Sequence, residues 1–158
     1  MIVIADSGPI ISLAVIDKLD LLEKLYGAVY IPEAVWQELS VYIEPFHIPK
    51  VLTYREKVVT LQNSNTFTGT MDPGESEAVS LYQEIQADYL LIDDKTARNI
   101  AESLSIKCLG TLAVLRKARE LGLISELKSL FAALLAHNRF YKKSLLNAIL
   151  TEHGEAIL

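Results

Sequence analysis

Cysteine is almost absent from this chain: Cys108 is the only one in 158 residues, so no disulfide can form within it. A lone thiol fits a reducing compartment, and a cytoplasmic protein is the expectation. Histidine is scarce too. His47, His137 and His153 lie in three separate segments without metal-ligand spacing, and neither HExxH nor a paired CxxC occurs, so a histidine- or cysteine-bound metal has little support. No GxGxxG or GxxxxGK[ST] is present, which removes the nucleotide-binding glycine loops. Positive charge is also short, with 15 Lys and Arg against 20 Asp and Glu and a net charge of −5. That balance disfavours a protein that coats nucleic acid through bulk positive charge. It leaves room for a nuclease whose acids are gathered at one site.

Long hydrophobic runs are missing as well. LKSLFAALLAHN is too short to span a bilayer. The apolar opening MIVIADSGPIISLAVI carries Asp6 early and lacks a basic leader and a cleavage motif, so it reads as a first strand and helix rather than a signal peptide. What is present is apolar content: 51% of the residues are hydrophobic, enough for one ordered domain with a real core.

Ile2 to Ala5 (IVIA) is continuously apolar and β-branched, as a buried strand requires. A helical period follows from Ile10 to Gly27, with a break near Asp17 or Asp20. AVYI is the second strand, and Pro32 suits the first turn of a helix through Leu39. Residues 41 to 68 are the least regular, with VVTLQ as a short strand, and the loop NSNTFTGTMDPGES leads into a helix from Glu75 to Gln86. YLLI and KCLG are strands, each followed by a helix, the last of which closes at Gly122. Strands alternating with helices predict an α/β domain with a mostly parallel sheet covered on both faces. From Ile124 onward the pattern changes to two helices without a strand.

In such sheets ligands sit at the carboxyl ends of the strands. Asp6 follows the first strand there, and Asp93 and Asp94 follow YLLI. Glu75 and Glu77 open a helix after the polar loop, and Glu38 lies late in the helix after strand two. Each has an ordinary explanation as a helix cap or a solvated acid. Converging carboxylates, however, raise one another's pKa unless a cation lies between them, and oxygen ligands alone suit Mg²⁺ or Mn²⁺. Ser7, Lys95, Arg98 and Thr111 are candidates to touch a phosphate backbone beside them.

Taken in order, IVIADSGPIISL, IPEAVWQEL, DPGESEAVSL, LLIDDKTARNIAESLSIKCLGT and AVLRKARELGLI resemble the PIN-domain ribonucleases. The likeness is greatest to the small prokaryotic branch related to VapC-like toxins of toxin–antitoxin pairs. The resemblance covers residues 1–124 and implies a three-layer α/β/α, Rossmann-like domain around a central parallel sheet. Residues 125–158 would be a C-terminal helical extension packed on the same domain. It further implies an endoribonuclease that cuts single-stranded RNA with Mg²⁺ or Mn²⁺. Carried onto this chain, the acids are Asp6, Glu38, Glu75 with Glu77 as the competing choice, and Asp93 or Asp94. Ile92 stands where that family has a hydroxyl, and Thr111 is another source of one or simply the cap of its helix.

The expected partners are single-stranded RNA, a second copy of the chain in a homodimer and a small antitoxin protein, with no membrane. The alternative is a non-enzymatic module that keeps the fold for binding RNA or protein, its acids serving as caps and surface charge.

Overall fold

A computed structural model describes residues 1–46, 49–63 and 67–158, with the backbone alone for 42–46 and 49. His47 and residues 64–66 of the polar loop fall outside the described residues. Strand β1 (Ile2–Ala5) lies at the centre of a five-stranded sheet in the order β3-β2-β1-β4-β5. The others are β2 (Ala28–Pro32), β3 (Val58–Val59), β4 (Tyr89–Leu91) and β5 (Cys108–Leu109), and every pairing is parallel. Val3, Ile4 and Ala5 are wholly buried, which is why β1 is apolar at successive positions instead of alternating.

The pleat sends those residues to two separate cores. Val3, Ala5 and Leu91 join α1 (Ser7–Val15), α2 (Leu21–Tyr26) and α6 (Thr111–Glu120) on one face. Ile4, Leu90 and Ile92 join α4 (Pro73–Glu84) and α5 (Lys95–Ser103) on the other. This is the expected three-layer α/β/α arrangement around a central parallel sheet.

The break in the first helical period falls at Asp17, whose φ of 56° ends α1, and Gly27 closes α2 at φ 85°. A short acidic side chain tolerates the left-handed region better than a branched one. Two boundaries differ from expectation. Pro32 ends β2 rather than opening a helix, and α3 (Glu33–Phe46) runs beyond Leu39. A 3-10 segment, Pro49–Lys57, occupies part of the stretch read as irregular and buries Val51 and Tyr54.

The last two helices are α7 (Lys128–Ala136) and α8 (Lys143–Glu152). Phe131, Leu134, Leu146 and Leu150 are fully buried in the same cluster as Val3. Glu155 accepts the amides of Leu127 and Lys128 at 2.9 Å each and pairs with Arg119, which fastens the tail to the start of α7. Among the described residues no helix is long and apolar enough to cross a membrane.

Candidate active site

The strand order reverses between β1 and β4, and the crevice beyond their carboxyl ends is where this architecture takes ligands. Asp6 stands there directly after β1, only 6% exposed. Its backbone N–H extends the β1–β4 pairing by donating to Leu91 O at 2.9 Å. As the N-cap of α1, its Oδ2 accepts the Gly8 amide at 3.4 Å. Oδ1 is buried without a hydrogen-bond partner among the described residues. Burial pushes the carboxyl up to about 7; the Ser7 and Gly8 amides oppose the shift, and the negative charges of Glu38 and Glu75 add to it.

Glu38 reaches this crevice from α3. Its Oε1 accepts the Gly74 amide at 3.1 Å, and a Cβ on Gly74 would stand 2.3 Å from that oxygen. Glycine at this position is thus a requirement of the close approach. The residue after it, Glu75, forms a capping box with Asp72 at the start of α4. Its carboxyl also rises to about 7, through burial first, then Asp72, with Asp94 and Glu38 contributing. Asp6, Glu38 and Glu75 therefore belong to one electrostatic unit. Two of them can exchange protons near neutral pH.

Glu77 is placed differently: its Oε2 accepts the Ala34 amide at 3.0 Å and so caps the start of α3. The neighbouring aspartates also divide. Asp94 is the N-cap of α5, accepting the Ala97 amide at 2.8 Å, and is exposed beside Glu75. Asp93 turns toward α6. There Thr111 donates its amide to Oδ1 and its hydroxyl to Oδ2, both at 2.7 Å, and Tyr141 OH donates to Oδ2 at 3.0 Å.

Tyr141 brings a second group of residues into the site. Its hydroxyl lies 3.3 Å from Ser12 Oγ, which accepts from Arg139 Nε at 2.8 Å, while Arg139 Nη2 donates to Gly8 O at 3.1 Å. Burial, and then Asp93, pushes the Tyr141 phenol up to about 12, so it stays a donor at neutral pH. Neither Arg139 nor Tyr141 was expected from the sequence. The only trace of them there is a short polar and aromatic break, NRFY, between two apolar helices.

Of the remaining candidates, Ser7 is the first residue of α1, and Lys95 is exposed in the first turn of α5. Arg98 is occupied by Glu102 at 2.8 Å and by the Cys108 carbonyl at 3.2 Å. His137 caps the end of α7, and His153 ends α8 with its ring on the Ile149 carbonyl.

An open cleft of about 360 Å³ adjoins the acids, lined by Thr70, Met71, Asp72, Glu75, Asp94 and Thr96. A more apolar hollow of about 320 Å³, bordered by Met1, Tyr26 and Tyr89, contains none of the cleft's acids. The donor chemistry at the cleft suits a hard cation, being carboxylate oxygens with one buried oxygen lacking any donor. Among the described residues, no three acidic, histidine or cysteine side chains stand close enough to share one ion.

The family model described as DUF3368: PIN domain matches residues 2–155. Among solved structures, the chain is similar to a PilT N-terminus domain protein from the hyperthermophilic archaeon Sulfolobus solfataricus P2. The identity is 15% and the TM-score 0.54, over 75% of this chain and 93% of that one. At that identity the likeness concerns the fold. No curated protein matches.

Proposed function

The chain belongs to the DUF3368 family of PIN domains, and from that membership and its acidic crevice we propose a metal-dependent endoribonuclease that cuts single-stranded RNA. The observation that carries this reading is Asp6. A carboxylate buried at the end of the central strand, with one oxygen unpartnered and two more acids acting on it, is a costly arrangement for a mere helix cap. Asp6, Glu38 and Glu75 border one crevice without all three lying within reach of a single ion, so they would hold a Mg²⁺ or Mn²⁺ ion in part through its retained waters, with Asp94 at the rim. Such an ion supplies charge neutralisation at a phosphodiester and activation of water.

The protein's own contribution is positional. Gly74 and its amide hold Glu38 in the crevice, and the capping box fixes Glu75. Burial and the neighbouring acids raise the Glu75 carboxyl in the crevice by itself; beside a cation it would be held ionised, where it could orient an attacking water. Asp93, filled by three donors, keeps the ends of β4 and α6 together.

In this reading the chain is the toxin of a toxin–antitoxin pair, acting as a homodimer and restrained by a small antitoxin protein. The test is cleavage of a labelled single-stranded RNA by the wild type and Asp6→Asn, with Mg²⁺, with Mn²⁺ and with EDTA. Metal-dependent cleavage that disappears in Asp6→Asn while the fold persists supports the proposal. A wild type with neither cleavage nor a Mn²⁺-induced thermal shift leaves the non-enzymatic module as the better account.

A further inference from the structure

Arg139 differs from every other arginine in the chain. Arg98, Arg116 and Arg119 each pair with a glutamate, and Arg55 lies over the Trp36 ring. Among the described residues no carboxylate pairs with Arg139. Two hydrogen bonds, from Nε to Ser12 Oγ and from Nη2 to Gly8 O, hold its guanidinium in place. They use two of the five N–H groups it carries. Ser12 is fully buried, so the anchor is rigid.

The position matters as much as the lack of a partner. A Cβ on Gly8 would lie 3.6 Å from Asp6 Oδ2, 3.7 Å from Asp93 Cβ and 3.8 Å from Arg139 Nη2. The guanidinium and the Asp6 carboxylate thus border the same small gap, which glycine leaves open. In a protein with net charge −5, acids gathered at one edge repel a polyanion. A fixed guanidinium beside them offers a planar pair of donors to a phosphate.

We propose that Arg139 binds a backbone phosphate of a single-stranded RNA entering the crevice. The segment between α7 and α8 then supplies part of the substrate site. The choice of RNA as ligand rests on the nuclease reading above, whereas the anion contact is argued from Arg139 itself.

The experiment measures binding of a short fluorescein-labelled single-stranded RNA by anisotropy in EDTA across a salt series, together with cleavage kinetics in Mn²⁺. Arg139→Gln is expected to weaken binding about tenfold and to reduce the slope of log K against log salt by about 0.7, the value for one phosphate contact on a single strand. In cleavage it raises KM more than it lowers kcat. Arg139→Lys restores the salt slope. Tyr141→Phe, which removes a donor to Asp93, leaves that slope unchanged. Arg139→Met keeps the aliphatic packing and carries the same test should the glutamine variant fold poorly.

Cleavage by the wild type with an unaltered slope and KM in both Arg139→Gln and Arg139→Met overturns the inference and leaves the nuclease reading standing. Binding without cleavage, with the slope reduced in the variants, supports the phosphate contact and sinks the nuclease reading. A wild type that does not bind the RNA at low salt overturns both.

Discussion

Thr111 closes on Asp93 with both of its donors, the amide to one carboxylate oxygen and the hydroxyl to the other, each at 2.7 Å. With Tyr141 as a third donor, Asp93 is a junction between β4, α6 and the segment before α8, whereas Asp94 makes one capping bond. Removing a shared acceptor strands every donor that used it, at a cost of about 1–3 kcal/mol for a buried group. Asp93→Ala is therefore expected to lose roughly 3 kcal/mol of stability and Asp94→Ala about 1 kcal/mol, the usual worth of an N-cap. Urea midpoints compare them; equal losses would contradict the division of roles between the two aspartates.

Asp6 predicts a stability gain on loss of charge. Its carboxyl titrates at about 7 in the folded protein against 3.8 ordinarily. Below pH 3.8 both folded and unfolded states hold the proton, so the group is neutral to folding. Between 3.8 and 7 the folded state keeps a proton that the unfolded state has released, and stability falls as pH rises. Above 7 the full penalty applies. Asparagine caps a helix as well as aspartate does and carries no charge. Asp6→Asn in EDTA is thus expected to gain on the order of 3 kcal/mol at pH 8, or roughly 5–10 °C in Tm, and nearly nothing at pH 4. Melting curves at the two pH values test this, and a variant that melts no higher at pH 8 contradicts the buried-charge account.

Gly74 separates position from stability. A Cβ there meets the Glu38 carboxylate, the free end of a flexible side chain, so Glu38 can swing aside at little cost in folding. Alanine also suits a helical position better than glycine. Gly74→Ala is expected to melt within a few degrees of the wild type. Cleavage should fall on the order of a hundredfold, as it does when a catalytic group shifts by about an ångström. Retained cleavage would mean that the Gly74 contact does not position Glu38 for the reaction.

Much of the fold is legible in the residue pattern alone. The apolar IVIA and YLLI strands declare a sheet buried on both faces, and Asp6 and the Asp93–Asp94 doublet mark the carboxyl ends of its central strands. The break at Asp17 follows from residue type. The side of the site built by Arg139 and Tyr141 was hidden, because it depends on how the segment between α7 and α8 lies against α1, a tertiary event that local pattern does not declare. The difference in hydrogen bonding between Asp93 and Asp94 was hidden for a similar reason. It turns on Thr111 and Tyr141, 18 and 48 residues along the chain from Asp93.

Glu75 and Glu77 pose the same problem two residues apart on α4, and helical geometry separates them. Residues at i and i+2 point about 200° apart around the axis. One therefore turns toward Asp94 and Glu38, the other toward the start of α3, where Glu77 accepts the Ala34 amide at 3.0 Å. Glutamine keeps an acceptor oxygen at either position and preserves the capping box at Glu75. Glu75→Gln is expected to be at least as stable as the wild type above neutral pH, because it removes a charge that burial penalises, and to lose cleavage, since its amide neither titrates nor carries charge. Glu77→Gln should cost about 0.5–1 kcal/mol, from the weaker bond to the start of α3, and keep cleavage. Kinetics and thermal melts on both variants decide it, and the reverse pattern would move the third acid of the site from Glu75 to Glu77.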